Sequence, residues 1–259
     1  MKRVIVLLAA LFLSLLMVDA RTVKKVYEID DFTGLNITNA FDVTLEHSDE
    51  FRVEIEVSEE FLPYLVVKNR GGVLELNFTR LPFRLRQKTR TRIAQAVIWM
   101  PTLTYVNMSG ASKLNSNDQF ANTMNKFTAT LKGGSTITNL NMRAPDVEIK
   151  LAGASKAMMS LRTSDIDADL SGASKLELMG DAVDFNVTAK GASRVEASQF
   201  EVEDVDVIAS GASTVDVNAT QALAVKLTGA SKCRYFGDSE YLKIRAEKVA
   251  GASTFKHQN

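Results

Sequence analysis

Hydrophobic and polar residues alternate strictly over six or seven positions at many places in the second half of the chain. In DIDADLS (165–171) and DFNVTAK (184–190), every second residue is apolar or small and the residues between them are polar. A two-residue period is typical of a half-buried β-strand, and none of these segments shows the 3.6-residue period of a helix. The alternation therefore predicts short strands that place one face in a core.

A glycine motif follows these strands throughout the second half of the sequence. SGASK, AGASK, KGASR and SGAST are among its near-copies, and a diverged copy is KGGST. Eight glycines mark the motif: Gly110, Gly133, Gly153, Gly172, Gly191, Gly211, Gly229 and Gly251. Successive glycines are about 20 residues apart, and a repeat of that length is typical of a solenoid, in which each rung is stable only when it stacks on its neighbours.

The residue four positions beyond each motif glycine is apolar or small in all eight copies. These residues are Leu114, Ile137, Ala157, Leu176, Val195, Val215, Cys233 and Phe255. A second strand therefore follows each motif, with Gly-Ala-Ser at the corner. The sequence predicts an all-β fold, a parallel β-helix (β-solenoid) with rungs of about 20 residues, right-handed because right-handed crossovers dominate. We interpret the eight glycines as structural corners, since glycine tolerates positive φ and serine can bond to nearby backbone.

The first part of the mature chain also has strand-like segments, although its repeat is less regular. The segments are FTGLNIT, AFDVTLEH, FRVEIEV, GGVLELNF and AQAVIWM, whereas SEEFLPYL (58–65) is typical of a helical turn. No change in composition marks a domain boundary. We therefore predict one domain over 21–259, with irregular N-terminal rungs or a cap over 21–100 and regular rungs over 101–259.

The first twenty residues have the pattern of a secretory signal peptide. Lys2 and Arg3 precede an apolar run from Val4 to Val18, and the small residue Ala20 provides a cleavage site. We expect export to the periplasm, the outer surface or the medium, with a mature chain that begins near Arg21. No further stretch of the mature sequence is apolar over the length of a membrane span.

Together, several motifs resemble a known family. They are the segment DDFTGLNITNAFDVTLEHSDEFRVEIEVSEEFLPYLVV (30–67), the later LEL, and the repeated SGAS. The chain resembles the head GIN domain family, exported bacterial proteins that are described as "putative autotransporter adhesins". The resemblance covers nearly all of the mature chain. It implies a β-helix and a role in surface binding, and it implies no catalytic residues.

The charge balance and the few reactive residues narrow the possible functions. The chain has 31 basic and 31 acidic residues, so nothing favours nucleic acid as a partner. His47 and His257 are the only histidines and lie far apart in sequence, and we predict no catalytic, cofactor-binding or metal site. Cys233 occupies an inward strand position, which favours a buried small residue over a nucleophile.

A basic segment, RLPFRLRQKTRTR (80–92), is the first candidate for binding. Its cations at even-numbered positions are Arg84, Arg86, Lys88, Arg90 and Arg92. An extended strand would place all five on one face, where they could contact an anionic glycan or a lipopolysaccharide phosphate. The alternative is a connecting strand or loop whose charges are hydrated or face the acidic residues of 46–60.

A weaker candidate is the position that follows the serine of the motif. It forms a stripe of cations: Lys113, Lys156, Lys175, Arg194 and Lys232. The stripe could contact an anionic glycan. The alternative is an ordinary solvated face, on which Glu177, Glu196 and Asp216 form weak ion pairs with the cations.

Three functions are compatible with these features. The first is an exported, non-enzymatic β-solenoid that acts as an adhesin, with a cell-surface glycan or an envelope protein as its partner. The second is a carbohydrate-active enzyme of the periplasm or cell surface, since β-helices also carry such enzymes. The third is a structural or self-assembling envelope protein, which would form oligomers through a flat solenoid face or through an uncapped strand edge near 251–259.

Overall fold

The computed structural model describes residues 21–88, 92–237 and 240–258. The predicted signal peptide and Arg90 lie outside these ranges. Within them the chain forms 21 strands, β1 to β21, one 3-10 turn, η1, and one short helix, α1. In chain order, the elements are β1 (Thr22–Tyr27), β2 (Gly34–Ile37), β3 (Asp42–His47), β4 (Arg52–Ser58), η1 (Glu59–Tyr64), β5 (Leu65–Arg70), β6 (Val73–Phe78), α1 (Phe83–Arg86), β7 (Ala94–Met100), β8 (Tyr105–Met108), β9 (Lys113–Asn115), β10 (Gln119–Ala121), β11 (Phe127–Leu131), β12 (Thr136–Arg143), β13 (Asp146–Leu151), β14 (Lys156–Arg162), β15 (Asp165–Leu170), β16 (Lys175–Ala189), β17 (Arg194–Ala209), β18 (Thr214–Leu227), β19 (Lys232–Phe236), β20 (Lys243–Val249) and β21 (Thr254–His257).

The strands from β8 onward stack in parallel as a β-solenoid. β11 pairs with β13 and β13 with β15 on one side of the motif corner, and β12 pairs with β14 and β14 with β16 on the other. The solenoid has about seven turns. This confirms the predicted all-β parallel solenoid, while its right-handed sense stays a prediction.

The rungs from β8 to β18 contain three strand segments each, one more than the sequence predicts. The rung that begins at β8 shows them as separate strands, β8, β9 and β10. In later rungs the second and third segments merge, and β16, β17 and β18 continue into the first segment of the next rung. We call the three stacks of segments the first, second and third ladders; the motif corner joins the first to the second. The turns on either side of the third ladder contain no motif, which is why the sequence does not reveal them.

The motif corners repeat one geometry. The eight motif glycines have φ between 72° and 82°. From the second copy onward, the backbone amide that follows each glycine donates a hydrogen bond to the glycine carbonyl of the previous rung, as Ala173 does to Gly153 over 2.7 Å. Each buried serine closes its own turn, since the Ser174 hydroxyl donates to the Ser171 carbonyl over 2.7 Å. Positive φ at glycine and a serine hydroxyl bonded to the backbone are therefore the common geometry of these corners.

The inward side chains form one continuous core. The apolar residues two, four and six positions before the motif glycines are buried in every rung from β11 to β18, for example Phe185, Val187 and Ala189. Phe185 also meets Phe200 of the third ladder edge-on, with ring centroids 5.8 Å apart. The alternation in the sequence therefore identifies the core correctly.

The N-terminal part is a mixed cap and not a simple series of rungs. β2 lies between β6 and β8, and β3 lies between β7 and β9, so the rung formed by β2 and β3 sits between two rungs that come later in the chain. β4 pairs antiparallel with β7, β1 with β4, and β5 with β6. η1 confirms the helical turn that the sequence predicts over 58–65.

The opposite end of the solenoid presents a strand edge. β20 pairs with β18 and β21 pairs with β19. Among the described residues, no strand pairs with the outer side of β20 or β21. Tyr241 and Ile244 are exposed beside this edge.

Two glycine substitutions test how the corners work. Gly172 and Gly110 both have φ near 80°, a conformation that costs an alanine roughly 1–2 kcal/mol. A Cβ at Gly172 would also lie 2.7 Å from the Gly153 carbonyl oxygen, whereas the nearest atom to a Cβ at Gly110 is 3.5 Å away. We expect Gly172→Ala to lower the free energy of unfolding clearly more than Gly110→Ala, as measured by chemical denaturation. Equal losses of unfolding free energy would show that the close contact with the previous rung does not restrict which residue can occupy the corner.

Candidate functional site

The basic segment does not form the extended strand that the sequence predicts. Phe83–Arg86 is a single helical turn, α1, because Leu85 points into the core and the chain bends after Pro82. Neighbouring even-numbered positions on a helical turn point in different directions, so Arg84 and Arg86 do not share one strand face. The prediction of five aligned cations is therefore wrong for the described members of the set.

Two other members of that set are held by the cap. The Lys88 Nζ lies 2.8 Å from Glu60 Oε2, which fits the predicted pairing with the acidic residues of 46–60. The Arg92 guanidinium is 4.9 Å from the centroid of the Phe78 ring and 5.5 Å from that of Phe61, and it donates a hydrogen bond to the Asn39 carbonyl. Arg92 thus fastens the end of the segment to the cap.

The exposed remainder is a loop that we call the basic loop, residues 80–88. Arg80, Arg84 and Arg86 are exposed, and Phe83 is 73 % exposed between them. Arg86 Nε donates to the Leu81 carbonyl over 2.9 Å. Within the described part of the chain, none of these three arginines has a carboxylate partner.

The cation stripe runs in register along the second ladder. Lys156, Lys175 and Arg194 are direct neighbours on adjacent strands. Lys175 Nζ lies 2.7 Å from Glu196 Oε2 and 3.2 Å from Glu177 Oε2, and these contacts raise the pKa of Lys175. Arg194 also contacts Glu196, so Glu177 and Glu196 pair with stripe cations, whereas Asp216 pairs with Arg234, which is not part of the stripe. Glycan binding by the stripe stays a prediction.

A column of four aspartates runs along the first ladder. Its members are direct neighbours on four adjacent strands: Asp146, Asp165, Asp184 and Asp204. Burial, followed by the charges of Asp184, Asp146 and Asp167, raises the pKa of Asp165. Among the described residues, no three His, Cys, Asp or Glu side chains are placed to hold a metal ion. Each of the four aspartates lies seven residues before a motif glycine, a signal that was present in the sequence.

A polar cleft of about 320 Å³ opens where the third ladder turns into the first. We call it the 122–164 cleft. Its polar lining consists of Asn122, Thr123, Arg143, Arg162, Thr163 and Ser164. The sequence did not single out these residues, because this turn carries no repeated motif.

The two histidines do not form a common site. His47 lies on β3 beside Phe120, and His257 lies on β21 beside Tyr235, where its Nε2 is 3.1 Å from the Gly237 carbonyl. β3 belongs to the first rungs and β21 to the last.

The match to known proteins agrees with this architecture. A family model described as "Putative auto-transporter adhesin, head GIN domain" matches residues 31–239. The chain belongs to this family. The membership confirms the resemblance that the sequence motifs indicate. No curated protein matches the chain.

Solved structures show the same fold at low sequence identity. A "putative adhesin" from Parabacteroides merdae is 18 % identical, with a TM-score of 0.81, and the match covers 93 % of this chain and 98 % of that one. A "putative lipid binding protein" from Parabacteroides distasonis is 14 % identical, with a TM-score of 0.80 and the same coverage. A second Parabacteroides distasonis structure, also named a "putative adhesin", is 15 % identical over the same shares of both chains, with a TM-score of 0.79.

The family and the adhesin structures are described as adhesins and not as enzymes. In the ranges that the structure describes, no helix has the length and apolar character needed to cross a membrane.

Cys233 allows a direct test of the core. Its side chain is buried, and burial, with a smaller effect of Asp216, raises the pKa of the thiol to about 12. The reactive thiolate is therefore scarce and shielded at neutral pH. We expect iodoacetamide to leave the native protein unmodified and to alkylate the unfolded protein, as measured by intact mass. The variant Cys233→Ser, which has no thiol, gives the level of non-specific modification. Rapid alkylation of the native protein would show that the core is open to the reagent at this rung.

Proposed function

We propose that this head GIN domain protein is an exported, non-enzymatic adhesin-like module that binds anionic polysaccharide of the cell envelope through its basic loop. The proposal rests on one observation above all, the group of exposed arginines around Phe83 that have no carboxylate partner among the described residues. Family membership supports a surface role. Export depends on the predicted signal peptide.

The charge of the basic loop distinguishes it from the solenoid faces. The chain has no acidic residue between Thr79 and Ala94, whereas it has six cations there. On the solenoid, many cations are compensated by a neighbouring carboxylate, as Arg162 is by Asp181 at 3.0 Å. Guanidinium groups form paired hydrogen bonds with carboxylate and phosphate groups, so the uncompensated arginines suit an anionic polymer.

The exposed Phe83 adds a second kind of contact. Its ring lies at the start of α1, between Pro82 and Arg84, and it offers an apolar surface within a cationic loop. An aromatic side chain buries a large area at low entropic cost when a partner covers it. A polymer that presents both charge and apolar ring faces, such as a polysaccharide, would use both features.

The polysaccharide can be tested with defined polymers. We expect the protein to bind polygalacturonate and to show little binding to neutral dextran, as measured by isothermal titration calorimetry. The double variant Arg84→Ser with Arg86→Ser should weaken binding by roughly tenfold or more, because each charge-assisted contact contributes about 1.5–3 kcal/mol. Phe83→Ser should weaken it to a smaller extent.

The cation stripe supplies the matched control. Lys156→Ser with Lys232→Ser removes the same number of exposed charges from another face, and we expect it to leave the affinity nearly unchanged. An equal loss of affinity in both double variants would contradict the basic loop as the binding site. It would show that the polymer binds at the stripe or that binding depends only on the net charge of the protein. Binding to phosphatidylglycerol vesicles without binding to polygalacturonate would also contradict the proposal.

Self-association is a second candidate function, which the open edge of β20 and β21 favours. Unpaired strand edges pair readily with a further strand, and the exposed Ile244 and Val249 would be covered by it. We expect sedimentation velocity to show dimers at rising concentration, and Ile244→Lys to abolish them, since charged side chains protect strand edges. A monomer at every concentration would contradict this candidate.

A further inference from the structure

The 122–164 cleft lies beside a loop that is longer than the corresponding turns of the next rungs. Between the third and first ladders, residues 122–126 connect β10 to β11, whereas residues 144–145 and 163–164 suffice in the next two rungs. Both ends of the longer loop are fixed. The backbone amide of Asn122 donates to the Arg143 carbonyl over 2.7 Å, and Lys126 Nζ lies 2.7 Å from Glu148 Oε2. The loop therefore forms a held wall beside the cleft.

Asn122 contributes a buried hydrogen-bond acceptor to this wall. Its side chain is 3 % exposed, and its Nδ2 donates to the Leu103 carbonyl over 2.6 Å. This contact fixes the orientation of the side-chain amide, because the Leu103 carbonyl can accept a hydrogen bond from Nδ2 but not from Oδ1. Within the described ranges, the Asn122 Oδ1 accepts no hydrogen bond. The Oδ1 atom is itself buried, so Asn122 supports the wall through its bond to Leu103 and does not contact a ligand in the cleft.

Two arginines supply positive charge next to Asn122. Arg143 and Arg162 are direct neighbours on β12 and β14, so their strands are about 4.8 Å apart. Arg162 pairs with Asp181 of the next rung, with Nε 3.0 Å from Oδ1. Arg143 has Ala121 and Arg162 as its strand neighbours, and it forms no ion pair among the described residues.

The column of strand neighbours that contains Arg143 and Arg162 has its like charges side by side. The column continues from Arg162 to Asp181 and then to Glu201, so two cations are followed by two acids. Arg162 and Asp181 compensate each other, and the charged strand neighbour of Arg143 in this column is the like-charged Arg162. A carboxylate bound between Arg143 and Arg162 would remove that repulsion and accept hydrogen bonds from both guanidinium groups.

We propose that the 122–164 cleft binds a single hexuronic acid residue. The carboxylate would lie between Arg143 and Arg162 and accept hydrogen bonds from both guanidinium groups. The hydroxyls of Thr123 and Ser164 line the same cleft and would contact the remaining ring oxygens. The volume of about 320 Å³ lies at the small end of ligand pockets, which suits one sugar and not an oligosaccharide. This site is separate from the basic loop, and the proposal does not depend on that loop.

The test is a titration of the ¹⁵N-labelled protein with sodium D-glucuronate, followed by NMR. We expect saturable shifts for the amides of 122–124, 143–144 and 162–164. D-glucose, which has the hydroxyls without the carboxylate, and acetate, which has the carboxylate without the hydroxyls, should each bind at least tenfold more weakly. Acetate that binds as tightly as glucuronate would overturn the assignment to a sugar acid, and so would the absence of saturable shifts.

Matched variants separate this site from general charge. Arg143 is exposed, so Arg143→Gln should fold normally and weaken glucuronate binding roughly tenfold or more. Arg194→Gln removes an exposed arginine from the stripe and should leave the affinity unchanged. Equal affinity in Arg143→Gln and the native protein would overturn the proposal. The basic-loop double variant should bind glucuronate normally, so failure of either proposal can be recognised separately.

Discussion

The fold depends on the close approach of backbone at the motif corner. From the second copy onward, the amide after each motif glycine lies 2.6–2.8 Å from the glycine carbonyl oxygen of the previous rung. A Cβ in the place of these glycines would come within 2.5–3.0 Å of that oxygen. Because only glycine satisfies both this distance and the positive φ, the corner fixes the vertical spacing of the rungs. The strands on both sides then meet in register, and their inward side chains form one core.

The same stacking determines the chemistry of the surface. Residues at equal distance from successive motif glycines become direct neighbours about 4.8 Å apart. Columns therefore arise in which like charges are adjacent, such as the four aspartates that begin with Asp146, or in which opposite charges compensate, such as Arg162 and Asp181. On this fold, a column is the natural unit of a binding site, since one side chain recurs at a fixed interval along a rigid axis.

The sequence predicted what depends on local periodicity and missed what depends on connections. Alternation and the motif spacing identified the strands, the corner and the core, because these obey the same rule in every rung. The antiparallel cap could not be predicted, since the insertion of β2 and β3 between later strands is a long-range pairing.

The basic segment was wrongly predicted as extended because buried Leu85 folds it into a helical turn. The 122–164 cleft has a weak signal: Arg143 and Arg162 each lie ten residues before a motif glycine. Asn122, by contrast, lies in a connecting loop that carries no repeated motif.

The interleaved start of the chain makes the two ends of the molecule unequal. The rung of β2 and β3 is held on both sides, by β6 and β7 on one face and by β8 and β9 on the other. It cannot separate until a neighbouring rung has left. Among the described residues, the last strands, β20 and β21, are held on one side only. Opening by heat, by force or by a protease therefore reaches the C-terminal rungs before the rung of β2 and β3.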